Sequence, residues 1–575
     1  MRVWLIAFPI AAFAIGQYQG ELLAEFALLG SATAALAVVW GYAGILSFAQ
    51  SIMFGAGAYA VAWFGLNAGA FGVLAGLAAG MAIGGALSFL IGYVGLRGRL
   101  DPIRFALLTF ICTLAAAQVA IGWTSVTGGT NGLNSIPALH VGQFALGPSA
   151  QRVVTTAIAA AVVAFLMAVA RSPLGALLTM VREEPKRAAS SGYNVPVIRI
   201  AAFTLCGVLT AALGGLYATQ IQSVSPSIVD LPLATSFVVW ALLGSRTSVS
   251  GAFLAAVSIS VVTTELATRF VNYWLLIVGM LFVVVVRFFP DGAAVAVRSR
   301  LPLKWYRARQ VALKPEPSSS GAGAVADRLA LSARGISCHF GPFTALRGVD
   351  LDVAAGGVHC LIGPNGAGKS TFLNVLSGLV ARPGGRWCVA GHDVSGIPPW
   401  ALARLGVARK FQSPAVAPSL TVGQNLFLAR YGRRHRLGSL FVRRWTSPIA
   451  PQAWGVLQLG GLDRLLAEPA NRLSHGQRQL LELAMILTGG CDILLLDEPT
   501  AGMTHAETDQ IAVILQNLAR GDRLPILMVE HDINLIRKIA DRVTVLADGT
   551  TLAEGTVAEI TRNEQVQAAY LGHGR

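Results

Sequence analysis

The run GPNGAGKST, residues 363–371, carries glycines, a lysine and hydroxyls at a spacing that suits phosphate chemistry. Gly363, Gly368, Lys369 and Ser370 fit the pattern G-x-x-x-x-G-K-[ST], with Pro364, Asn365, Gly366 and Ala367 filling the loop and Thr371 following it. Glycines let backbone N–H groups wrap a phosphate chain, and a helix starting at the loop's end adds the positive end of its dipole. Lys369 is expected to reach the β- and γ-phosphates and the Ser370 hydroxyl to bind Mg2+. A chance match to the bare pattern is conceivable in a chain with 63 glycines. It is not a good account of the same pattern between an apolar strand (VHCLI) and a helical sequence (FLNVL).

A second constellation reads CDILLLDEPTAG. Ile493 to Leu496 predict a buried strand that ends in Asp497 and Glu498. Asp497 is placed to hold a metal-bound water shell, and Glu498 to polarise an attacking water as general base. One acid at a strand end is ordinarily a solvated turn. Two acids downstream of a phosphate loop are not explained that way.

The elements that must position these groups fall in the second half of the chain. From about residue 327, short aliphatic strands alternate with helical stretches, which predicts a parallel α/β sheet. The first half is different. The whole chain of 575 residues is 54% hydrophobic and only 13% charged, with mean hydropathy +0.61. A soluble protein is nearer a quarter charged, so much of this chain belongs in a membrane. Apolar stretches of about 20 residues, the length that spans a bilayer core, recur at roughly 22–40, 44–66, 71–95, 104–123, 152–170, 200–220, 250–268 and 271–289. Shorter pieces near 3–16 and 233–244 bring the expectation to about eight to ten segments. The expected domains are a transmembrane helical domain at 1–290, a basic linker at 291–326 that includes the Pro/Ser/Gly-rich KPEPSSSGAGA, and a nucleotide-binding domain at 327–575. Within the last, about 414–490 is expected to form a helical subdomain.

Net charge is +15, and its placement decides its meaning. Arg97, Arg99 and Arg104 flank one inter-helix loop, and Arg171, Arg182, Lys186, Arg187 and Arg199 lie in another. The loop between them, 124–151, has no Lys or Arg. The first two loops are therefore expected in the cytoplasm and 124–151 outside. Four further crossings return the chain to the cytoplasm, where it meets Arg298, Arg300, Lys304, Arg307 and Arg309. This asymmetry explains the basic balance and argues against nucleic acid as a partner. The six cysteines are scattered with no C-x-x-C pair, so no disulfide or metal framework is expected. The polar stretch RSPLGALLTMVREEPKRAASSGYNVPVIRI is too long for a tight helix–helix turn, and its middle has helical composition apart from Pro185.

With both constellations in order, residues 327–575 resemble the nucleotide-binding domain of ATP-binding-cassette (ABC) transporters. Phe340 in HFGPF matches the aromatic that stacks on adenine, and Gln412 in RKFQSP the glutamine joining the metal site to the membrane domain. LSHGQ, with Ser474, His475, Gly476 and Gln477, matches the signature loop, and His531 in MVEHD the switch histidine. The resemblance implies ATP and Mg2+, with catalysis by Glu498, His531 and Lys369 and with metal contacts from Ser370, Gln412 and Asp497. It also implies two cassettes head to tail, so that Ser474 and Gly476 touch ATP held by the partner. His475 stands where the family tolerates residues other than glycine, so no catalytic role is expected for it. Where many cassettes have an aspartate, this chain has Thr504, which cannot supply the same charge between ATP sites.

The first half resembles permeases of the branched-chain amino acid family, which includes urea and short-amide importers, through GYAGILSFAQSIMFGAGAYAVA, TGGTNGL and GALLTMVREEPKRAASSGYNVP. The last of these includes that family's coupling helix. QVQAAYLG at 565–572 resembles the matching ATPase subunit. TGGTNGL, RKFQSP, LSHGQ and AGMT lean towards the urea/amide branch. The implied protein is a permease fused to its ATPase, multi-pass in a bacterial inner (plasma) membrane among lipid, with the ATPase in the cytoplasm. Its implied partners are a second permease and a second ATPase subunit, or a second copy of itself, together with a periplasmic solute-binding protein. An exporter half-transporter has the same domain order but usually six long helices. A non-transport ABC ATPase normally has paired cassettes and no spans.

Overall fold

The computed structural model describes residues 17–98, 100–141, 144–288, 292, 311–315, 329–380, 383–433 and 446–571. The apolar piece at 3–16, the basic residues Arg298 to Arg309 and most of the linker 314–324 lie outside those residues. Contacts divide the chain into two units, 1–182 with 196–306 and 183–195 with 307–575.

The first unit is helical: α1 (Gln17–Gly41), α2 (Gln50–Arg97), α3 (Pro102–Gly122), α4 (Pro148–Ala170) and α5 (Pro173–Glu183), whose last residue belongs to the second unit. A short helix α6 (Pro185–Ser190) lies wholly in the second unit. The first unit resumes with α7 (Val195–Ile221), whose first residue belongs to the second unit, and continues with α8 (Leu231–Gly244), α9 (Val249–Arg269) and α10 (Trp274–Phe288). Among the described residues, seven helices are long and apolar enough to cross a membrane.

Two expected segments, 44–66 and 71–95, form the single 48-residue run α2, broken only where Ala68 and Gly69 leave helical geometry. Gly69 has φ +57°, a conformation that costs a residue without a Cβ little. The two arms fold back on each other. A Cβ added to Gly76 would lie 2.6 Å from Val61 Cα, and one on Gly80 would lie 2.9 Å from Gly57 Cα. Gly57 also abuts α7, where a Cβ would fall 1.8 Å from the Ala211 carbonyl oxygen. With no hydrophobic drive between helices in lipid, such close backbone approach supplies the packing.

Helix ends sort into two groups. At one, the Arg182 guanidinium donates to the Gly41 carbonyl, and the Tyr42 hydroxyl donates to Thr247 O at 2.9 Å. At the other, β1 (Leu133–Asn134), in the loop free of Lys and Arg, pairs antiparallel with β2 (Ser223–Val224), which follows Ile221.

The second unit holds an antiparallel sheet and a mostly parallel one. The first is built from β3 (Leu329–Phe340), β4 (Phe343–Ala354), β6 (Gly384–Val389) and β7 (His392–Asp393), in the order β7-β6-β3-β4. The second contains β5 (Val358–Ile362), β8 (Val407–Lys410), β9 (Ile493–Asp497), β10 (Ile526–Val529), β11 (Arg542–Ala547) and β12 (Thr550–Gly555). Its order is β8-β9-β10-β5-β11-β12, antiparallel only at β11/β12. Residues Ile493 to Asp497 are all buried, as a central parallel strand covered on both faces requires.

Gly57→Leu is expected to abolish recovery of monodisperse full-length chain in size-exclusion chromatography, because backbone oxygen already occupies the added volume. Gly122→Ala, with nothing within 4 Å of its Cβ, should change the thermal midpoint little, an effect within about 0.5 kcal/mol.

Candidate functional site

Register brings the sequence motifs together. β5, β8, β9 and β10 run parallel side by side, with Lys410 opposite Leu496, Asp497 opposite Val529 and Val529 opposite Leu361. Their carboxyl ends therefore emerge in one row, where open α/β sheets bind ligands. From β5 comes the phosphate loop, from β8 Gln412, from β9 Asp497 and Glu498, and from β10 His531.

The loop leads from β5 into α11 (Lys369–Leu376). Gly363, Gly366 and Gly368 have φ of +148°, +85° and +99°, values that side chains disfavour. A Cβ on Gly363 would meet Leu546 O at 2.1 Å, and one on Gly368 would meet Ala345 O at 2.7 Å. Asn365 and Gly366 are exposed at the loop's tip, and Ala367 tucks its methyl inward. Lys369 is buried and its Nζ donates to Gly363 O at 2.7 Å and Pro364 O at 2.9 Å. Burial pushes its ammonium below the usual lysine range, while Glu498 and Asp497 pull it back up. Ser370 is exposed and its hydroxyl donates to Asp497 Oδ1 at 3.4 Å. Thr371 follows on α11, half-buried. Ala345 belongs to the β3–β4 hairpin whose tip pairs Phe340 with Phe343, and Phe340 is 52% exposed there. An exposed ring is thus presented on the hairpin that flanks the phosphate loop.

Asp497 is buried, and burial raises its carboxyl above the ordinary value against the pull of Arg409. Arg409 Nη2 donates to Asp497 Oδ2 at 3.1 Å. Glu498 has φ +45°, uncommon for a side-chain-bearing residue and the sort of backbone strain that collects at functional sites. Its N–H donates to Val529 O at 2.9 Å. Its carboxylate accepts the Gln412 amide (2.9 Å) and lies 3.2 Å from His531 Nε2. Gln412, Glu498 and His531, separated by scores of residues in sequence, thus form one cluster.

Beyond α12 (Val422–Arg433), LSHGQ opens α13 (His475–Gly489), and Ser474 caps it. The Ser474 hydroxyl accepts the Gln477 N–H at 3.2 Å, and the Gln477 side chain accepts the Ser474 N–H at 3.1 Å. This reciprocal cap satisfies two backbone donors at the start of the helix. Ser474 and His475 are exposed and Gly476 is buried. The His475 ring lies against Gly502, 3.4 Å from where a Cβ there would sit, and its Nε2 is 3.5 Å from Gln479 Nε2.

Several contributors carried no signal in the sequence. Arg409 sits in the four-residue strand β8, all of it buried although half of it is charged. Glu507 covers Gly476: a Cβ on that glycine would fall 2.6 Å from Glu507 Oε1. The same carboxylate accepts the N–H and hydroxyl of Thr504, both at 2.9 Å, and caps α14 (His505–Gln516). Thr504, which departs from the family aspartate, is therefore a helix cap tied to the signature loop through Glu507.

A glycine phosphate loop, two acids at the end of β9 and a capped signature helix define the ATPase cassette of an ABC transporter. Residues 346–501 match the ABC transporter family, and residues 20–286 match the family described as branched-chain amino acid transport system, permease component. Residues 550–575 match the branched-chain amino acid ATP-binding cassette transporter family. The chain is 35% identical over 248 residues to the high-affinity branched-chain amino acid transport ATP-binding protein BraF of Pseudomonas aeruginosa, a match covering 42% of this chain and 97% of BraF. It is 34% identical to LivG of Escherichia coli K12, again over 42% of this chain and 97% of that protein. A crystal structure of a nucleotide-free ATP-binding cassette from an ABC transporter is 28% identical, with 42% of this chain and 99% of that chain covered, at TM-score 0.37. The chain belongs to the branched-chain amino acid family of ABC transporters, with permease and ATP-binding, ATP-hydrolysing domains in one polypeptide.

Glu498→Gln is expected to cut ATP turnover by about 100-fold or more while ATP binding, read with a fluorescent analogue, persists; wild-type-like turnover removes Glu498 from the base role. His475→Gly should keep most ATPase activity, whereas Ser474→Arg should lose it. Equal losses in steady-state phosphate release would show that the histidine does more than pack.

Proposed function

We propose that this chain is the permease and ATP-binding subunit of an importer that couples ATP hydrolysis to uptake of branched-chain amino acids or of urea and short amides. The observation that carries this reading is the succession, in one polypeptide, of a branched-chain-type permease and a cassette whose relatives are branched-chain amino acid transport ATP-binding proteins. The permease is assigned to 1–290, the linker to 291–326 and the cassette to 327–575, with residues 183–195 serving the cassette as its coupling segment.

In this reading Glu498 polarises the attacking water, His531 contacts the γ-phosphate, and Lys369 and the loop 363–371 hold the phosphates. Phe340 stacks on the adenine. A hard cation such as Mg2+ prefers oxygen donors, and the Ser370 hydroxyl, the Asp497 carboxylate and the Gln412 amide oxygen supply that set. Bound there, the ion neutralises charge developing on the phosphates. Ser474, His475, Gly476 and Gln477 face ATP held by a second cassette, so the working unit is a dimer of this chain or a complex with a second permease and ATPase. The chain lies in the bacterial inner membrane with its cassette in the cytoplasm, and receives solute from a periplasmic binding protein.

The test is to isolate the co-purifying solute-binding protein and follow its thermal midpoint with leucine, urea and acetamide. Ligand at about 100 times Kd should stabilise it by about 2.7 kcal/mol. No shift with any of the three rejects the substrate class, and a shift with one of them chooses the branch.

A further inference from the structure

Residues 183–195 interrupt the membrane half in sequence but are part of the second unit. Glu184 leaves helical geometry before Pro185, as a residue preceding proline tends to, so α5 stops and α6 starts afresh. This short helix carries Arg187, whose side chain is 2% exposed against Glu482, which is 0% exposed on α13. A charge so deeply buried needs a partner, and a carboxylate without one is costly.

The contacts of Arg187 go to two different parts of the ATP site. Its Nη2 donates to Glu482 Oε1, and its Nε donates to Ala415 O at 3.2 Å. Its guanidinium lies 5.3 Å from the centre of the Phe411 ring, which Arg409 also approaches, at 5.2 Å. The same Glu482 oxygen accepts the Phe411 N–H at 3.2 Å. Phe411 immediately precedes Gln412, whose amide holds Glu498. Glu482 lies on the helix that begins with the signature loop. Its other oxygen, Oε2, is buried with no hydrogen-bond partner. Glu482 also acts on Arg409 and Lys410, and the Lys410 Nζ donates to the Phe411 carbonyl at 3.3 Å.

We propose that Arg187 is a positioning residue for ATP hydrolysis, holding the Gln412 loop and the signature helix in fixed relation through Phe411 and Glu482. This rests on the roles assigned above to Gln412, Glu498 and Ser474. Arg187 touches none of the reacting atoms itself. Its planar fork meets a carboxylate, a carbonyl and a ring together, which a lysine ammonium cannot reproduce.

The test uses the full-length chain purified as the complex it forms in the membrane, with four variants: Arg187→Met, Arg187→Lys, the apolar pair Arg187→Met/Glu482→Leu, and Glu498→Gln. Replacing both members of a buried pair by apolar groups removes the stranded charge and is commonly tolerated. The apolar pair should therefore recover the thermal midpoint that Arg187→Met loses. Its kcat should stay about tenfold or more below wild type with KM for ATP nearly unchanged, as expected when geometry is lost and binding is not. Arg187→Lys should fold and show the same split to a smaller degree. A kcat that returns together with the midpoint in the apolar pair, or a folded Arg187→Lys chain with wild-type kcat, overturns the proposal and leaves Arg187 a structural residue. Glu498→Gln separates the two readings. If it hydrolyses ATP normally, the site assignment has failed; if it is inactive while the Arg187 variants turn over normally, only the positioning role has failed.

Discussion

A charge pair buried between two parallel strands governs the geometry of the ATP-binding unit. The side chains of Arg409 on β8 and Asp497 on β9 are each 4% exposed, 3.1 Å apart. Removing both from water costs several kcal/mol per ion, recovered only when the pair is close and its remaining donors and acceptors are used. Here they largely are. Arg409 Nη1 donates to Ser377 Oγ at 2.6 Å, and the other Asp497 oxygen accepts the Ser370 hydroxyl. The carboxylate is thereby aimed at the start of α11, where the phosphate loop ends. Burial moves both groups towards neutrality, Asp497 upward and Arg409 downward, and each opposes that drift in the other.

Around this pair the sheet does the rest. Parallel strands hydrogen-bonded in register end together, so loops from β5, β8, β9 and β10 meet without any long-range instruction beyond strand order. Glu498 lies one residue past the pair with φ +45°, a strained turn held by its N–H on Val529 O. That turn brings its carboxylate under both Gln412 and His531. The signature helix is secured differently, through a cap at its start and through Glu482 and Glu507, which tie its flank to residues 187, 411 and 504.

The membrane unit answers to another constraint. In lipid no water completes a hydrogen bond, so polar groups must find partners within the protein. Ser31 donates to Ala27 O at 2.8 Å in its own helix and approaches Ala159 O on α4 at 3.2 Å. The Gln50 amide donates to Ala32 O at 3.1 Å and also reaches Thr210 on α7. Between these points the helices meet through glycine, which lets backbone approach backbone.

Chemistry that depends on neighbours in sequence was legible from the sequence alone. The phosphate loop needs glycines, a lysine and a hydroxyl within nine residues, and a strand ending in Asp497–Glu498 marks itself by hydropathy. Apolar runs of bilayer length located the spans in the same way, and the absence of Lys and Arg between 124 and 151 distinguished one loop from its neighbours. Tertiary structure alone decided the rest. No local pattern distinguishes Arg187 or Arg409 from a solvated arginine, Glu507 from an ordinary helix-capping acid, or Gly57 from other small residues in an apolar helix. Their roles come from partners tens to hundreds of residues away, and burial, charge pairing and backbone contact exist only once the fold has brought those partners within a few ångströms.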